Sequence, residues 1–276
     1  MKQVKLGGTN FTVSAIALGI MRMEALSSDA AAQVLDTAFN AGINYVDSAD
    51  IYGMGQSEIT FKAALAKTGI SRHQLYIQSK GGIVYDPERS HGSFVFGKRY
   101  DFAKRHLLES VDGILQRMGI DYLDTFLLHR PDPLMETEEV AEAFDTLQRE
   151  GKVRHFGVSN FNAEQLALLQ EAIGQKLIVD QLQFGLMHTG MIDAGIHTNM
   201  TDSRSVDHDG SLLPYTQHKK ITIQAWSPFQ YGFFGGTFID EPKFPKLNDK
   251  LQQLAEKYHA VSYTHLRAHE TLRHLV

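Results

Sequence analysis

The sequence contains no cysteine. That excludes disulfides, thiolate metal sites and a cysteine nucleophile. No apolar run approaches the roughly 18 residues that a membrane-spanning helix needs. No block of Lys and Arg offers a track for a nucleic-acid backbone. Charge is close to balanced, with 27 basic and 32 acidic residues and a formal net charge of −5. The first residues are too polar and too interrupted by glycine to read as a secretory signal. These absences lead to the expectation of a soluble cytoplasmic protein without a nucleic-acid or membrane partner.

What is present fits a globular α/β protein. The chain has 276 residues, 43% of them hydrophobic and 21% charged. One α/β barrel of about 250 residues would use that length. Val4 and Leu6, then Phe11 and Val13, flank a turn at Gly7-Gly8-Thr9-Asn10. Two short strands around a glycine-rich turn predict a β-hairpin.

A two-part rhythm follows. Short apolar runs lie at residues 15–18, 44–46, 75–77, 122–128, 153–158, 177–182 and 221–226. Amphipathic stretches separate most of them. Residues 102–118 place Leu107, Leu108, Val111, Ile114, Leu115 and Met118 at helical spacing, and residues 138–150 do so with Val140, Phe144 and Leu147 before a terminating Gly151. Strands alternating with helices imply βαβ units and a parallel sheet, and at this length they favour a barrel. An open doubly wound sheet is the alternative. Against it, the first strand-to-helix turn reads Leu18-Gly19-Ile20-Met21-Arg22 and lacks a glycine-rich phosphate fingerprint.

Seven barrel strands are legible where a closed barrel has eight. The last clear helix spans 247–259, and beyond Val261 the chain is polar and rich in His. The reading therefore divides the chain into an incomplete barrel at 1–261 and a tail at 262–276. That tail resembles translated adapter sequence, and the eighth strand and helix are expected to be absent or replaced.

Barrel chemistry is carried at the C-terminal ends of strands. The second run ends at Asp47 and is followed by Ser48-Ala49-Asp50-Ile51-Tyr52-Gly53. The third ends at Lys80, the fourth at His129, the fifth at Ser159-Asn160, and the seventh at Trp226-Ser227, while the sixth carries Asp180-Gln181. Each residue alone has an ordinary reading as a turn, packing or solvated side chain. Together they bring a carboxylate, a phenol, an ammonium and an imidazole to one rim in strand order. Asp47, Asp50, His129 and His188 offer a candidate metal set. It lacks the paired-histidine spacings that support metal hydrolases, so no metal is expected.

The segments Asp47 to Gly53, Ser79-Lys80, Leu127 to Pro131, Gly157 to Phe161, Asp180-Gln181 and Ala225 to Pro228 resemble the signature series of the aldo-keto reductase family. The stretches from His129 to Met135 and from Gly151 to Phe161 are most similar to its bacterial YdhF-type oxidoreductases. The resemblance implies a (β/α)₈ TIM barrel with an N-terminal hairpin, and NADP(H)-dependent reduction of a small aldehyde or ketone. It also implies a tetrad of Asp47, Tyr52, Lys80 and His129, with Tyr52 as proton donor. Ser159, Asn160 and Gln181 would hold the nicotinamide carboxamide. Trp226 would stack on the ring, and Ser227 with the loop 229–236, opening at Phe229, would hold the pyrophosphate. NADP rather than NAD is inferred from the family alone, because its 2′-phosphate contacts follow the eighth strand. The full-length family form is expected to be a monomer.

The residue types suit that chemistry. A free tyrosine has a pKa near 10 and is a weak acid at neutral pH. A neighbouring ammonium eases proton loss, a carboxylate holds the ammonium, and a neutral imidazole can orient a carbonyl oxygen. Loops 82–100 and 185–210 are expected to shape the substrate pocket. The alternatives are a redox-sensing binding subunit like the β subunits of potassium channels, and an inactive truncated fragment.

Overall fold

The computed structural model describes residues 1–90, 96–196, 203, 211–231 and 236–261. The chain forms two compact units, residues 1–179 and 180–276.

The first unit opens with the hairpin expected from the sequence. Strand β1 (Gln3–Lys5) pairs antiparallel with β2 (Thr12–Ser14). Its turn needs glycine for two reasons. Gly7 has φ +50°, and a Cβ there would stand 2.4 Å from Cβ of Ile178. A backbone that approaches this closely leaves no room for a side chain. Lys176 Nζ fixes the contact with a 2.8 Å bond to the Gly7 carbonyl. Leu6 and Val13 of the hairpin join Tyr45, Tyr76, Leu127, Ile178 and Val179 in one buried cluster.

Five parallel strands follow, joined by helices. They are β3 (Ala17–Gly19), helix α1 (Ser28–Asn40), β4 (Tyr45–Asp47), α2 (Gln56–Leu65) and β5 (Tyr76–Gly81). A small antiparallel pair, β6 (Ile83–Val84) and β7 (Arg99–Tyr100), comes next. Then come α3 (Lys104–Met118), β8 (Leu123–Leu128), α4 (Thr137–Arg149), β9 (Val153–Ser159) and α5 (Ala163–Ala172). The strand order is β9-β8-β5-β4-β3. Register runs Leu18 to Val46 to Ile77, and Lys80 opposite Leu127. Every residue of β5 and β8 is buried. Strands covered on both faces require apolar runs rather than alternation, which is why these segments read as runs in the sequence.

Local sequence explains the helix ends. Ser27 caps α1 by accepting the Ala30 N–H, and Asn162 with Gln165 forms a capping box on α5. Gly119 and Gly151, both at positive φ, close α3 and α4. At the opposite end of the sheet, buried Asp124 gathers Arg72 at 2.8 Å, Arg154 at 3.0 Å and the Ile77 N–H at 2.9 Å. Both guanidiniums lie about the Tyr122 ring, 4.0 and 3.9 Å from its centroid. One carboxylate thus ties the segments entering β5, β8 and β9 together.

Strand β10 (Leu177–Gln183) begins in the first unit and continues into the second. The second unit then contains α6 (Gly190–Ile196), α7 (Leu212–Lys219), β11 (Thr222–Trp226) and α8 (Pro245–Lys257). Here β11 neighbours β10. All seven runs singled out in the sequence are strands, within two residues at each end except at the C-terminus of the third, which extends to Gly81.

Two stretches expected to be loops contain regular structure among the described residues. Residues 82–100 contain the β6–β7 pair, with Phe94 outside the described residues, and the segment 185–210 contains α6, with much of the remainder outside them. The segment after Val261 also lies outside them.

Candidate active site

The parallel register places several polar residues just past the ends of neighbouring strands. The ladder continues beyond each strand through Ser48 N–H to Gln78 O at 2.9 Å, Asp50 N–H to Lys80 O at 2.9 Å, and His129 N–H to Gly81 O at 2.9 Å. Asp47 ends β4, Lys80 is the penultimate residue of β5, and His129 follows β8 directly. Tyr52 begins a short 3₁₀ turn, Tyr52–Gly55, in which Gly53, Met54 and Gly55 have φ of +56°, +55° and +87°. Three consecutive left-handed residues reverse the chain sharply, and two of them are glycine because that conformation costs other residues about 1–2 kcal/mol.

Lys80 is the centre of the group. Its side chain is 1% exposed. Its ammonium donates to Asp47 Oδ1 and Oδ2, each at 2.8 Å, and to the Ser48 carbonyl at 2.7 Å. It also lies 5.1 Å from the centroid of the Tyr52 ring. Burial works against the charge, but the Asp47 carboxylate and the Tyr52 hydroxyl outweigh it and hold the ammonium above its ordinary range.

Asp47 is itself supported. Gln78 donates to its Oδ1 at 2.8 Å and accepts from the Tyr45 hydroxyl at 2.6 Å. Neither Tyr45 nor Gln78 was singled out in the sequence. The signal was there for Gln78, because it lies two residues before Lys80 and therefore on the same face of β5.

Tyr52 and His129 meet edge to face, with ring centroids 5.9 Å apart and planes at 84°. Burial raises the Tyr52 phenol above its ordinary range, and Lys80 opposes that rise. His129 is held well below its ordinary range by burial and by the cations Lys80, Arg130 and Lys98. Its imidazole is therefore neutral at pH 7. Its Nδ1 is buried with no hydrogen-bond partner among the described residues.

Ser159 and Asn160 stand at the end of β9. Asn160 adopts φ +65° and donates to Ser159 Oγ at 2.8 Å and to the His129 carbonyl at 3.3 Å. The other four expected cofactor residues belong to the second unit. Gln181 is buried on β10 and bonds Gln224 at 3.2 Å. Trp226 ends β11, and Ser227 follows at φ +50°. Phe229 opens the loop 229–236, and its carbonyl accepts the Phe238 N–H at 2.9 Å. Residues 232–235 of that loop lie outside the described set.

All four members of the expected tetrad converge within the first unit. An ammonium held against a phenol, beside a neutral imidazole, can deliver a proton to an oxygen atom. The polar groups at the end of β9 are a hydroxyl and an amide. These two, Ser159 and Asn160, are groups of the kind that can bond a planar carboxamide such as that of a nicotinamide.

Comparison with known proteins shows the family. The sequence pattern of the aldo/keto reductase family matches residues 15–269. Oxidoreductase YdhF of Escherichia coli is 34% identical over 228 residues, covering 83% of this chain and 68% of the relative. The 6-dehydroglucose reductase of Agrobacterium fabrum is 34% identical over 230 residues, covering 82% and 71%. Among solved structures, glycerol dehydrogenase from Gluconobacter oxydans superposes with a TM-score of 0.72 at 22% identity, over 94% of this chain and 80% of that one. The fold is the α/β barrel type of those enzymes.

Proposed function

The chain belongs to the aldo/keto reductase family of oxidoreductases, and on that premise we propose that it reduces a small aldehyde or ketone to an alcohol using NADPH, with Tyr52 as proton donor. The observation that carries the reading is the position of Lys80, a buried ammonium held by the Asp47 carboxylate and 5.1 Å from the centroid of the Tyr52 ring.

When bound, a reduced nicotinamide supplies a hydride to the carbonyl carbon. The residues of this chain manage the oxygen. His129, kept neutral, donates a hydrogen bond to the carbonyl oxygen and orients it. Tyr52 passes its hydroxyl proton to that oxygen as negative charge develops there. Lys80 stabilises the phenolate left behind, and Asp47 keeps Lys80 charged and in place. Burial serves the donor as well, because a phenol above its ordinary range stays protonated until the alkoxide forms. In the reverse direction Tyr52 phenolate removes the alcohol proton.

Ser159, Asn160 and Gln181 are proposed to hold the carboxamide, Trp226 to stack on the ring, and Ser227 and Phe229 to lie along the pyrophosphate. A similar relative is named for reducing a dehydroglucose, which accords with a small polar carbonyl compound as substrate. We place the protein in the cytoplasm and read its full-length form as a monomer.

The test is direct. Purified protein is mixed with 4-nitrobenzaldehyde and either NADPH or NADH, and cofactor absorbance is followed. Loss of NADPH absorbance with formation of the alcohol is expected, with NADH slower. No carbonyl-dependent oxidation of either cofactor would overturn the proposal.

A further inference from the structure

A second buried polar group stands behind Lys80 and has no part in the chemistry above. Glu58 of α2 is fully buried. Its Oε2 accepts a 2.6 Å bond from Arg117 Nε of α3, and its Oε1 lies 3.5 Å from Ser79 Oγ, the residue before Lys80. Asp50 sits on the turn between Asp47 and Tyr52. Its Oδ2 accepts a 2.5 Å bond from Ser110 Oγ of α3, and its backbone N–H donates to the Lys80 carbonyl at 2.9 Å. Its other oxygen, Oδ1, is buried with no partner among the described residues.

Glycines shape the space for these contacts. A Cβ at Gly81 would stand 2.3 Å from Ser110 Oγ, and one at Gly55 2.8 Å from Arg117 Cδ. A Cβ at Gly113 would stand 2.7 Å from the Arg117 guanidinium. Three close approaches to two α3 side chains mean that substitution at these positions would displace the links.

We infer that Asp50 is a positioning residue: its carboxyl fastens the turn that carries Tyr52 to α3 through Ser110, while its backbone fixes the end of β5 that carries Lys80. The inference rests on the proposed role of Tyr52. The turn needs such an anchor because Gly53, Met54 and Gly55 are all left-handed, and a strained segment persists only where its surroundings hold it. Misplacing a reacting group by about 1 Å costs on the order of 100-fold in rate.

The groups facing Asp50 are Lys80 from β5, Glu58 from α2, Ser110 and Arg117 from α3, and Tyr85 just after β6. Burial lifts Asp50 to about 6 and Glu58 to about 7, with Arg117 as the cation that both face. Turnover should therefore carry a step between about pH 6 and 7 as this pair ionises.

The experiment compares Asp50→Ala, Asp50→Asn and Ser110→Ala with the unaltered protein. The readouts are kcat against pH with NADPH and 4-nitrobenzaldehyde, and NADPH affinity by fluorescence. Asp50→Ala should lose about tenfold or more in kcat with NADPH affinity retained. Asp50→Asn still accepts from Ser110, so it should keep most turnover below about pH 6, and its profile should lose the part of the step near pH 6 while keeping any part that Glu58 contributes near 7. Ser110→Ala should reproduce the Asp50→Ala defect, and the double variant should be no worse than either.

Normal kcat in Asp50→Ala, or an Asp50→Asn profile that superposes on the unaltered one, would overturn the inference. A protein that turns over no carbonyl at all refutes the proposed function instead. The positioning role is then read from ¹³Cζ-tyrosine NMR, with the Tyr52 signal assigned by Tyr52→Phe. That signal should move in Asp50→Ala and return in Asp50→Asn, and a signal unmoved by Asp50→Ala would refute it.

Discussion

Lys80 Nζ stands 2.8 Å from both oxygens of the Asp47 carboxylate, in a pair where the lysine is 1% and the aspartate 15% exposed. A buried charge left without its partner is costly, and removing one member of such a pair typically destabilises by about 3–5 kcal/mol. Asp47 therefore does two things at once. It makes a buried ammonium tolerable, and it leaves that ammonium free to face Tyr52.

Tyr52→Phe removes the proposed proton donor and little else, since the ring stays beside His129. Turnover should fall by roughly 10²–10⁴-fold, the usual scale for general acid catalysis. NADPH affinity should persist. Steady-state kinetics alongside a fluorescence titration check both, and an unchanged kcat would remove Tyr52 from the chemistry.

Lys80→Met should be about as damaging as Tyr52→Phe, because the phenolate loses its cation. Asp47→Asn should be milder, as it acts through Lys80. A double-mutant cycle should be clearly non-additive, since the two residues act as one unit. Strict additivity would mean that they work separately.

Trp226 is the only tryptophan in the chain, so its emission reports one place. If it stacks on nicotinamide, saturating NADPH should quench it strongly. An unmoved spectrum, with binding shown by calorimetry, would put the ring elsewhere.

The pH dependence of stability follows from linkage. Asp50 titrates at about 6 in the folded protein and near 4 unfolded, so the folded state binds the proton more tightly. Stability from this group is full below about pH 4 and is lost as pH rises through about 6. Glu58, at about 7, acts in the same direction over a wider window. His129 acts oppositely. Its folded form stays neutral, so stability is lost as pH falls below about 6.5, where the unfolded histidine takes up a proton. The Tm of Asp50→Asn minus that of the unaltered protein should rise between pH 4 and 7. A difference independent of pH would contradict the assignment.

Asp124 offers a control far from the chemistry. It is 2% exposed and receives two guanidiniums and a backbone N–H. Asp124→Asn should cost about 3–5 kcal/mol in denaturant unfolding. A loss below about 1 kcal/mol would show that the clamp contributes little.

The sequence by itself determined the seven strand runs, the hairpin, and the four side chains Asp47, Tyr52, Lys80 and His129 that meet in the first unit. Both kinds of signal are local. A strand buried on both faces is rich in apolar residues, and a residue at or just past its end is delivered to one rim.

Tertiary structure decided the rest. Nothing in the spacing of Tyr45, Gln78 and Asp47 states that they form one hydrogen-bonded line, because register between strands sets it. Asp50 and Glu58 read as ordinary turn and helix-surface acids. They become buried only because α3 lies over them with Ser110 and Arg117. The sign and size of their titration depend on that cover, since desolvation is a property of surroundings and not of residue type.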